Sequence, residues 1–313
     1  MNNAAPTLVR GAGTASGADD EPLRVVANLG RTLVVRARGG AGGSAVRQVV
    51  PLRHLPLVVA GDLVRVASDA AGVERAVEVL ERASVLERPE AHGKTRPLAA
   101  NLTHLAIVSA APPGIDTLLI DQFCVGAHRA GLDPIVVVNK ADLLDAERRA
   151  RVETMLDAYR AAGHPGIACH ARGDEGVRPL AEALAGRASA LVGASGTGKS
   201  SIAATLLPER DVRVGALSAA TGLGAHTTSV TRWYALPGGG AIVDSPGVRQ
   251  YAVESLGRED VRAGYREIRT LAEGCRFNDC LHVVEPGCAV REALDAGALA
   301  AFRYANYRRL AGL

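Results

Sequence analysis

The chain has 313 residues, a formal net charge of +3, 48% hydrophobic residues and 22% charged residues. This length suits two or three globular domains, and the near-neutral charge restricts any nucleic-acid surface to a local patch. No apolar run approaches the ~20 residues of a membrane helix, the N-terminus lacks a secretory signal, and five cysteines are too few for a disulfide scaffold. These exclusions predict a cytoplasmic protein without membrane contact.

Residues 1–21 predict a disordered tail, and residues 22–95 predict a small β-barrel. Five short β-rich runs occur in the second segment, and Gly-rich or Pro-rich turns separate them. They are LRVVANL, RTLVVRARG, SAVRQVVPL, DLVRVASD and RAVEVLERAS. Five strands of this length favour a barrel of OB type.

The first half of the predicted barrel is basic. Between Pro22 and Gly61 there are no acidic residues and six arginines, at positions 24, 31, 36, 38, 47 and 53. No aromatic residue precedes Phe123, so base stacking is excluded and an RNA contact here would use phosphates and shape. The alternative is a solvated charged face.

The stretch VVVNKADLLD resembles a guanine-recognition motif at the end of a buried strand, Ile135–Val138. Ligands of open α/β sheets bind where strands end at their carboxyl side. Asp142 is expected to accept from guanine N1–H and the exocyclic amine, which would select GTP over ATP. Asn139 would join the base site to the phosphate site, and the Lys140 stem would lie on the base. Ala141 is predicted to belong to the same nucleotide-binding motif. Alone, the tetrapeptide equally fits a strand end followed by a helix cap.

The next strand and turn, in GIACHARGDEG, place His170 and Ala171 where they can back the guanine. The usual Ser-Ala of such a turn is His-Ala here. Cys169 in the same stretch, and Cys124 before it, lie on apolar segments and are expected to be buried thiols.

A phosphate-binding loop follows in SALVGASGTGKSSIAATLL, between a strand at Ala190–Val192 and a helical pattern. Its glycines let backbone N–H groups approach phosphate oxygens. Lys199 would reach the β- and γ-phosphates, and the Ser200 hydroxyl would bind Mg²⁺. The alternative is a glycine-rich turn that matches by chance. The predicted contacts are Gly193, Ala194, Ser195, Gly196, Thr197, Gly198, Lys199, Ser200 and Ser201.

Two segments complete the predicted γ-phosphate site. Asp244, after the strand Ala241–Val243, would hold Mg²⁺ through water, and the Gly247 N–H would meet the γ-phosphate. In the preceding GLGAHTTSV loop, Thr228 or Thr227 would supply the second Mg²⁺ hydroxyl. A Ser/Thr-rich connector is the alternative for that loop.

The residue after Asp-x-x-Gly is Val248, whereas Ras-type enzymes place a water-orienting Gln there. A valine can neither donate nor accept a hydrogen bond, so slow basal hydrolysis is expected. His226 is the nearest polar candidate to orient the water, once a partner orders its loop. It could instead only cap the loop, with RNA or another side chain completing the site.

Residues 253–313 predict a zinc-bearing helical domain. Cys275, Cys280, His282 and Cys288 supply three thiolates and one imidazole, which suit one closed tetrahedral Zn²⁺ site. Reduced core cysteines beside a surface histidine are the alternative. On the last helix, a set of basic and aromatic residues could meet rRNA or form a solvated face: Arg303, Tyr304, Tyr307, Arg308 and Arg309.

The nucleotide motifs occur in a rotated order, because the base motif precedes the phosphate loop. Permutation is compatible with folding when the former termini lie close together. We therefore predict an α/β fold with a circularly permuted P-loop GTPase domain over residues 96–252, after the OB-type barrel and before the zinc-binding helical domain.

The motifs GASGTGKSS, NKADLL, AHTT and DSPGVR resemble, in this order, the RsgA (YjeQ) family of circularly permuted GTPases, which mature the small ribosomal subunit. The sequence departs at Ala225, where the family usually has Arg. The resemblance implies GTP/GDP, Mg²⁺ and one structural Zn²⁺, with the small ribosomal subunit and its rRNA as partners of a monomer. A GTP-dependent rRNA-binding scaffold is the alternative. An ATP-using kinase is disfavoured by Asp142 and by the lack of an acceptor-substrate motif.

Overall fold

The structure, a computed structural model, describes residues 21–37, 46–90, 94–207, 230–244 and 256–313. The described part comprises an N-terminal barrel, a central α/β sheet and a C-terminal group of helices. None of the helices in these ranges has the length and apolarity to cross a membrane.

Five N-terminal strands close into a barrel. They are β1 (Leu23–Asn28), β2 (Leu33–Ala37), β3 (Val46–Pro51), β4 (Leu63–Ser68) and β5 (Glu74–Val79). Their order is β1-β2-β3-β5-β4, and β4 pairs back onto β1. Alternate apolar side chains fill the interior because successive residues of a strand point to opposite faces. The five predicted strands and the OB-like barrel are confirmed.

The six arginines of the predicted basic segment are not all on the surface. Arg36 is buried, with 6% of its surface exposed. The Arg24 guanidinium lies 4.4 Å from the centre of the Trp233 ring, which belongs to the α/β sheet. Solvent-exposed members are Arg31, Arg47 and Arg53, while Arg38 lies outside the described residues. In the described residues, three of the six arginines are therefore exposed and Arg24 is partly exposed.

A two-stranded hairpin connects the barrel to the sheet. Its strands are β6 (Val85–Pro89) and β7 (Thr95–Ala100). The predicted domain boundary, between residues 95 and 96, lies at the start of β7. The turn at Gly61 packs against the end of β7 so closely that a Cβ would lie 2.0 Å from the Ala100 carbonyl oxygen. Only glycine fits this contact, and its φ of +94° also favours glycine.

The central sheet has the order β10-β9-β8-β11-β13-β12. Its strands are β8 (His104–Ala110), β9 (Asp133–Asn139), β10 (Gly166–Ala168), β11 (Ala188–Val192), β12 (Arg232–Ala235) and β13 (Ala241–Asp244). The described helices of this part are α1 (Thr117–Arg129), α2 (Ala146–Ala161), α3 (Gly173–Leu184) and α4 (Lys199–Leu206). All neighbouring pairs are parallel except β12–β13.

Helices cover the sheet, and its strands are therefore continuous apolar runs. The residues of β9 from Ile135 to Val138 are all fully buried. The strands predicted at 135–138, 190–192 and 241–243 are confirmed. Because these strands run parallel, the segments that follow them meet at one edge of the sheet.

The barrel and the central sheet share hydrogen-bonded strands. Strand β1 pairs antiparallel with β12, with Ala27 opposite Arg232. The two parts thus form one eleven-stranded sheet.

The C-terminal helices are α5 (Arg258–Gly264), α6 (Arg266–Ala272), α7 (Ala289–Asp295) and α8 (Ala301–Ala311). They enclose a core of their own, which includes Tyr265, Tyr307 and two of the cysteines. Val125 of α1 belongs to the same core. At Gly264 a Cβ would lie 2.9 Å from the Val125 Cα, so α5 crosses α1 in close contact.

A buried ionic network fastens α8 to α1. Arg303, which is 1% exposed, forms an ion pair with Asp121, which is fully buried. Arg303 Nη2 also lies 2.6 Å from Glu267 Oε1. Donors to the Asp121 carboxylate, at 2.8 to 2.9 Å, are Tyr159, Tyr265 and Asn306.

This network corrects the expectation that Arg303 and Tyr307 belong to a face of the last helix that meets rRNA or solvent. Arg303 and Tyr307 are each 1% exposed, and they face α1 and the C-terminal core because tertiary partners neutralise and cover them. Arg309 is the exposed basic residue of the last turn. The basic and aromatic residues of the helix were visible in the sequence, but the buried carboxylate that pairs with Arg303 was not.

Candidate functional site

The phosphate-binding loop follows β11 and ends at the first turn of α4. Gly193 has φ +134°, and a Cβ at this position would lie 2.1 Å from the Val108 carbonyl oxygen. The loop therefore packs directly on the backbone of β8, which glycine alone permits. The N–H groups at the start of α4 are directed out of the helix end, where an anion is stabilised.

The Lys199 side chain folds back into the loop. Its Nζ donates to the carbonyl oxygens of Gly193 at 2.9 Å and Ala194 at 2.7 Å. The Thr197 hydroxyl also donates to the Ala194 carbonyl, at 3.0 Å. These contacts hold the ammonium group in the concave side of the loop, and phosphate oxygens can replace the carbonyl acceptors. Ser200 follows on the first turn of α4 and is exposed.

Asn139 connects the base motif to this loop. Its side chain is 2% exposed, and Nδ2 donates to the Thr197 carbonyl oxygen at 2.9 Å. The approach depends on Gly198, where a Cβ would lie 2.3 Å from the same Nδ2. The structure thus brings together two motifs that are separated along the chain.

Lys140 makes a second connection. It has a left-handed backbone conformation, with φ +61°, and its Nζ donates to the Gly196 carbonyl at 2.8 Å and the Pro112 carbonyl at 3.2 Å. The aliphatic stem therefore extends from the base motif to the phosphate loop, along one wall of the space between them.

Asp142 lies at the wall of a cavity of about 260 Å³ beside the phosphate loop. The cavity is lined by Asn139, Lys140, Asp142, Leu143, Ala171, Arg172, Gly198 and Ser201. Arg172 Nη1 lies 3.1 Å from Asp142 Oδ2, and the arginine side chain is 76% exposed. An ion pair this exposed contributes about 0–1 kcal/mol. A base that donates two N–H groups to Asp142 can therefore displace Arg172.

The predicted base-backing turn lies beside this cavity. Ala141 N–H donates to the Cys169 carbonyl at 3.0 Å, which fixes the turn against the base motif. The Thr205 hydroxyl of α4 donates to the Ala171 carbonyl at 3.2 Å, which fixes it to the phosphate-loop helix. Ala171 lines the cavity of Asp142.

His170 lies on the other side of the turn. It lines a separate cavity of about 430 Å³ between α2 and α3, to which Asp142 also contributes. Gly176 packs on the imidazole so closely that a Cβ there would lie 2.2 Å from Nδ1. In this arrangement Ala171, and not His170, lines the cavity beside the phosphate loop.

The two cysteines outside the C-terminal cluster are buried thiols, as predicted. Burial raises the pKa of Cys169 to about 12 and raises the pKa of Cys124 beyond its usual range. Both thiols are therefore protonated and unreactive near neutral pH.

Asp244 ends β13 at the same edge of the sheet. Strand β13 lies parallel to β11, with Val243 opposite Ala190, so Asp244 and the phosphate loop lie at the carboxyl ends of adjacent strands. Other predicted members of the γ-phosphate site lie outside the described residues: His226, Thr227, Thr228, Gly247 and Val248.

The C-terminal cluster of Cys275, Cys280, His282 and Cys288 has the dimensions of a zinc site. Its four ligand atoms all lie within 4.8 Å of one another. His282 Nδ1 is 3.6 Å from Cys275 Sγ and 3.5 Å from Cys288 Sγ, and these two sulfurs are 3.9 Å apart. Tetrahedral Zn²⁺ requires about 3.5 Å between N and S ligands and about 3.8 Å between two sulfurs. The donor set therefore fits one Zn²⁺ held through His282 Nδ1.

The loop that carries these ligands is fixed by further contacts. The Glu285 carboxylate accepts from the backbone N–H groups of Leu281, Val283 and Val284 at 2.8 to 3.0 Å. These hydrogen bonds lower the pKa of Glu285 to about 2. The Tyr304 hydroxyl of α8 donates to the His282 carbonyl at 2.5 Å.

Comparison with known proteins agrees with this geometry. The family model described as RsgA GTPase matches residues 79–254. A protein of Azotobacter vinelandii named small ribosomal subunit biogenesis GTPase RsgA is 42% identical over 288 residues, which cover 91% of this chain and 83% of that protein. The chain belongs to the RsgA GTPase family. Membership in the RsgA GTPase family makes it a GTP hydrolase.

Other members of the RsgA family show the same similarity. The protein of that name from Chromohalobacter salexigens is 41% identical over 289 residues, covering 92% of this chain and 84% of that protein. The crystal structure of YjeQ from Thermotoga maritima matches with a TM-score of 0.71 and 26% identity, covering 93% of this chain and 96% of that one. YloQ, described as a circularly permuted GTPase, matches in fold with a TM-score of 0.73 and 21% identity, covering 93% of each chain.

Sequence reasoning missed three residues of this RsgA-family chain that support the predicted sites, and it assigned a fourth, Tyr304, to a face that could meet rRNA or solvent. Arg172 pairs with Asp142, Thr205 fixes the base-backing turn, and Glu285 and Tyr304 fix the zinc loop. Only Arg172 could have been found from the sequence, because it directly follows His170 and Ala171 of the predicted base-backing turn. The other three act through contacts that the spacing of the motifs does not reveal.

Proposed function

We propose that this GTPase binds the small ribosomal subunit and couples GTP hydrolysis to late maturation of that subunit, which in turn stimulates hydrolysis. The relatives in A. vinelandii and C. salexigens are named for small-subunit biogenesis, and they align with nine-tenths of this chain. The single observation that supports a working nucleotide site is the contact between Asn139 and Thr197. It assembles the permuted motifs around one cavity.

The guanine would bind in the cavity of Asp142. In this proposal Asp142 accepts from the base, the Lys140 stem covers one face, and Ala171 lies behind it. Asn139 and Ala141 hold the motif in place. His170 supports the turn from the adjacent cavity and does not touch the base.

The phosphates would lie in the loop from Gly193 to Ser201. Lys199 would exchange its two carbonyl acceptors for β- and γ-phosphate oxygens, so its charge is already positioned before GTP arrives. Little reorganisation is then needed when negative charge develops during hydrolysis. The backbone N–H groups of Ala194, Ser195, Gly196, Thr197 and Gly198 would surround the same oxygens.

Ser200 and Asp244 are proposed to hold Mg²⁺, with Asp244 acting through water and Thr228 or Thr227 as the further hydroxyl. Mg²⁺ would offset the charge that develops between the β- and γ-phosphates. Gly247 would donate its N–H to the γ-phosphate, and His226 would orient the attacking water when the subunit orders its loop.

In this proposal each of the three predicted domains has its own function. Residues 22–95 would contact rRNA through exposed arginines, residues 96–252 would hydrolyse GTP, and residues 253–313 would carry one structural Zn²⁺. The protein would act as a cytoplasmic monomer.

The test is GTP turnover by the purified protein, with and without purified small subunits. We expect slow turnover alone and a large increase with subunits. Turnover that is unchanged over a saturating range of subunit concentrations, with binding confirmed by sedimentation, would contradict the proposed stimulation. Absence of co-sedimentation under any nucleotide would contradict the proposed partner.

A further inference from the structure

A cavity of about 490 Å³ lies between the barrel and the central sheet. Its barrel side includes Arg24 and Val26 of β1 and Arg36 of β2. Its sheet side includes Trp233 of β12 and part of the turn at residues 236–240. This volume is within the range of small-molecule sites. The space is called here the barrel–sheet cavity.

The barrel–sheet cavity is separate from the proposed nucleotide site. It is lined by Ala188, the first residue of β11, whereas the phosphate loop follows Val192 at the other end of that strand. Four residue steps along a strand span about 13 Å. The turn at residues 236–240 likewise precedes β13, and Asp244 ends it. A ligand in the cavity would therefore lie at the amino ends of the strands, opposite the nucleotide.

Two arginines of the cavity lie directly opposite each other. Arg24 of β1 pairs with Arg36 of β2 in the antiparallel register, and both side chains line the cavity. Opposite residues share one face of the sheet, and like charges in such a pair are destabilising. Arg36 is 6% exposed, so solvent screens its charge little. An anion between the two guanidinium groups would offset this repulsion.

The neighbouring segments bring no carboxylate to the pair. The other cross-strand neighbours are apolar, with Leu63 opposite Arg24 and Val46 opposite Arg36. Neither Asp nor Glu occurs in the segments that line the cavity, which are residues 24–26, 36–37, 101–103, 186–188 and 233–240. The described lining of the cavity therefore carries two positive charges and no negative one.

The Arg24 guanidinium is held in place. Its Nη1 donates to the Gly61 carbonyl at 2.9 Å, and its Cζ lies 4.4 Å from the centre of the Trp233 ring. The carboxylate of the next residue, Asp62, is held at both oxygens by Arg82, at 2.7 and 2.8 Å. Because Arg24 is already positioned, an anion would not have to supply the entropy cost of ordering it.

We propose that the barrel–sheet cavity binds a phosphate ester, with the phosphate between Arg24 and Arg36. A planar guanidinium group matches phosphate oxygens in bidentate geometry. The organic part of the ligand would lie against the apolar wall of Val26, Leu236 and Pro237. Two sources offer this chemistry, a free phosphate monoester and the backbone of an RNA chain. The site does not depend on the proposed partner of the protein.

Phenyl phosphate is the first probe. It is titrated into the full chain saturated with GDP and Mg²⁺, so that the phosphate loop is already occupied. Calorimetry gives the affinity, and Trp233, the single tryptophan of the chain, is expected to report binding by a saturable change in fluorescence. Phenol, and chloride at equal ionic strength, should give neither signal. The inference is overturned if calorimetry detects no saturable binding of phenyl phosphate.

Substitutions locate the bound phosphate. Arg24→Gln and Arg36→Gln should each weaken phenyl phosphate binding about tenfold to a hundredfold, because each removes charge-assisted hydrogen bonds. Arg151→Gln, on the exposed side of α2, should keep the affinity of the unmodified chain. GDP affinity should be equal in all variants and shows that each is folded. If burial makes Arg36→Gln unstable, Arg24→Gln decides alone. Equal phenyl phosphate affinities in the folded variants would overturn the site.

A polyuridine oligonucleotide distinguishes the two sources. If it displaces phenyl phosphate and binds Arg24→Gln more weakly than Arg151→Gln, the ligand is an RNA backbone phosphate. If phenyl phosphate stays bound, the ligand is a free phosphate ester. Either result supports the site, and neither uses ribosomal subunits, so failure of this inference leaves the proposed function intact.

Discussion

The side-chain nitrogen of Asn139 lies 2.9 Å from the carbonyl oxygen of Thr197, 58 residues away along the chain. In the permuted order no short connection links the base motif to the phosphate loop, so this hydrogen bond, made possible by Gly198, joins them together with the contact of Lys140 to Gly196 and the pairing of their strands with β8. The first two predictions concern this junction.

Asp142→Asn should weaken GTP binding about tenfold to a hundredfold, because it removes a charge-assisted acceptor and introduces a donor opposite guanine. The same change should improve binding of xanthine nucleotides. Titration with fluorescent GTP, GDP and XTP analogues measures both effects, with the exposed Asp174→Asn as control. Unchanged GTP affinity would remove Asp142 from the base site.

Gly198→Ala should abolish tight nucleotide binding, because its Cβ would lie 2.3 Å from Asn139 Nδ2. Gly163→Ala is a matched control, since it also has a positive φ, +83°, but its Cβ meets nothing within 4 Å. Both variants incur a backbone cost of about 1–2 kcal/mol, and only Gly198→Ala separates the two motifs. Equal GTP affinities in the two variants would show that the Asn139 contact is dispensable.

Arg303→Ala should lower the free energy of unfolding by about 3–5 kcal/mol, because it leaves the buried Asp121 carboxylate without its ionic partner. Arg309→Ala, on the exposed face of the same helix, should change it by less than about 0.5 kcal/mol. Denaturant titration followed by circular dichroism compares the two. A similar small effect in both would indicate that Asp121 is neutral in the folded protein.

Cys288→Ser should reduce the zinc content from one ion per chain to less than one, and should loosen the C-terminal core in which Cys288 is 3% exposed. Elemental analysis gives the metal content, and hydrogen exchange of residues 256–313 gives the local stability. Cys124→Ala, outside the cluster, should keep one zinc. Full zinc content in Cys288→Ser would exclude this cysteine as a ligand.

His226→Ala should retain GTP affinity and subunit binding but lose the stimulation of turnover by subunits. The reason is that Val248 cannot orient the attacking water, and His226, beside Thr227 and Thr228, is the polar residue proposed for that role. Turnover with and without subunits, measured beside nucleotide and subunit affinities, tests this. Full stimulation in the variant would exclude His226 from catalysis.

The sequence was informative where a site depends on a short motif. The strand ends that carry Asn139 and Gly193 followed from apolar runs bounded by motif residues, and the zinc ligands followed from their spacing. The ion pair of Asp121 with Arg303 could not be predicted, because 182 residues separate the partners and each helix alone shows only a charged residue. The burial of Arg36 was hidden for the same reason: its position in a strand is local, but its burial depends on residues distant in the sequence.

The pairing of β1 with β12 has a mechanical consequence. Arg232 of β12 lies opposite Ala27 of the barrel on one side and opposite Asp244 on the other. Two strand spacings, about 10 Å, therefore separate the barrel from the aspartate at the end of β13. A displacement of the barrel relative to the central sheet would therefore be transmitted through β12 to Asp244 without any intervening loop.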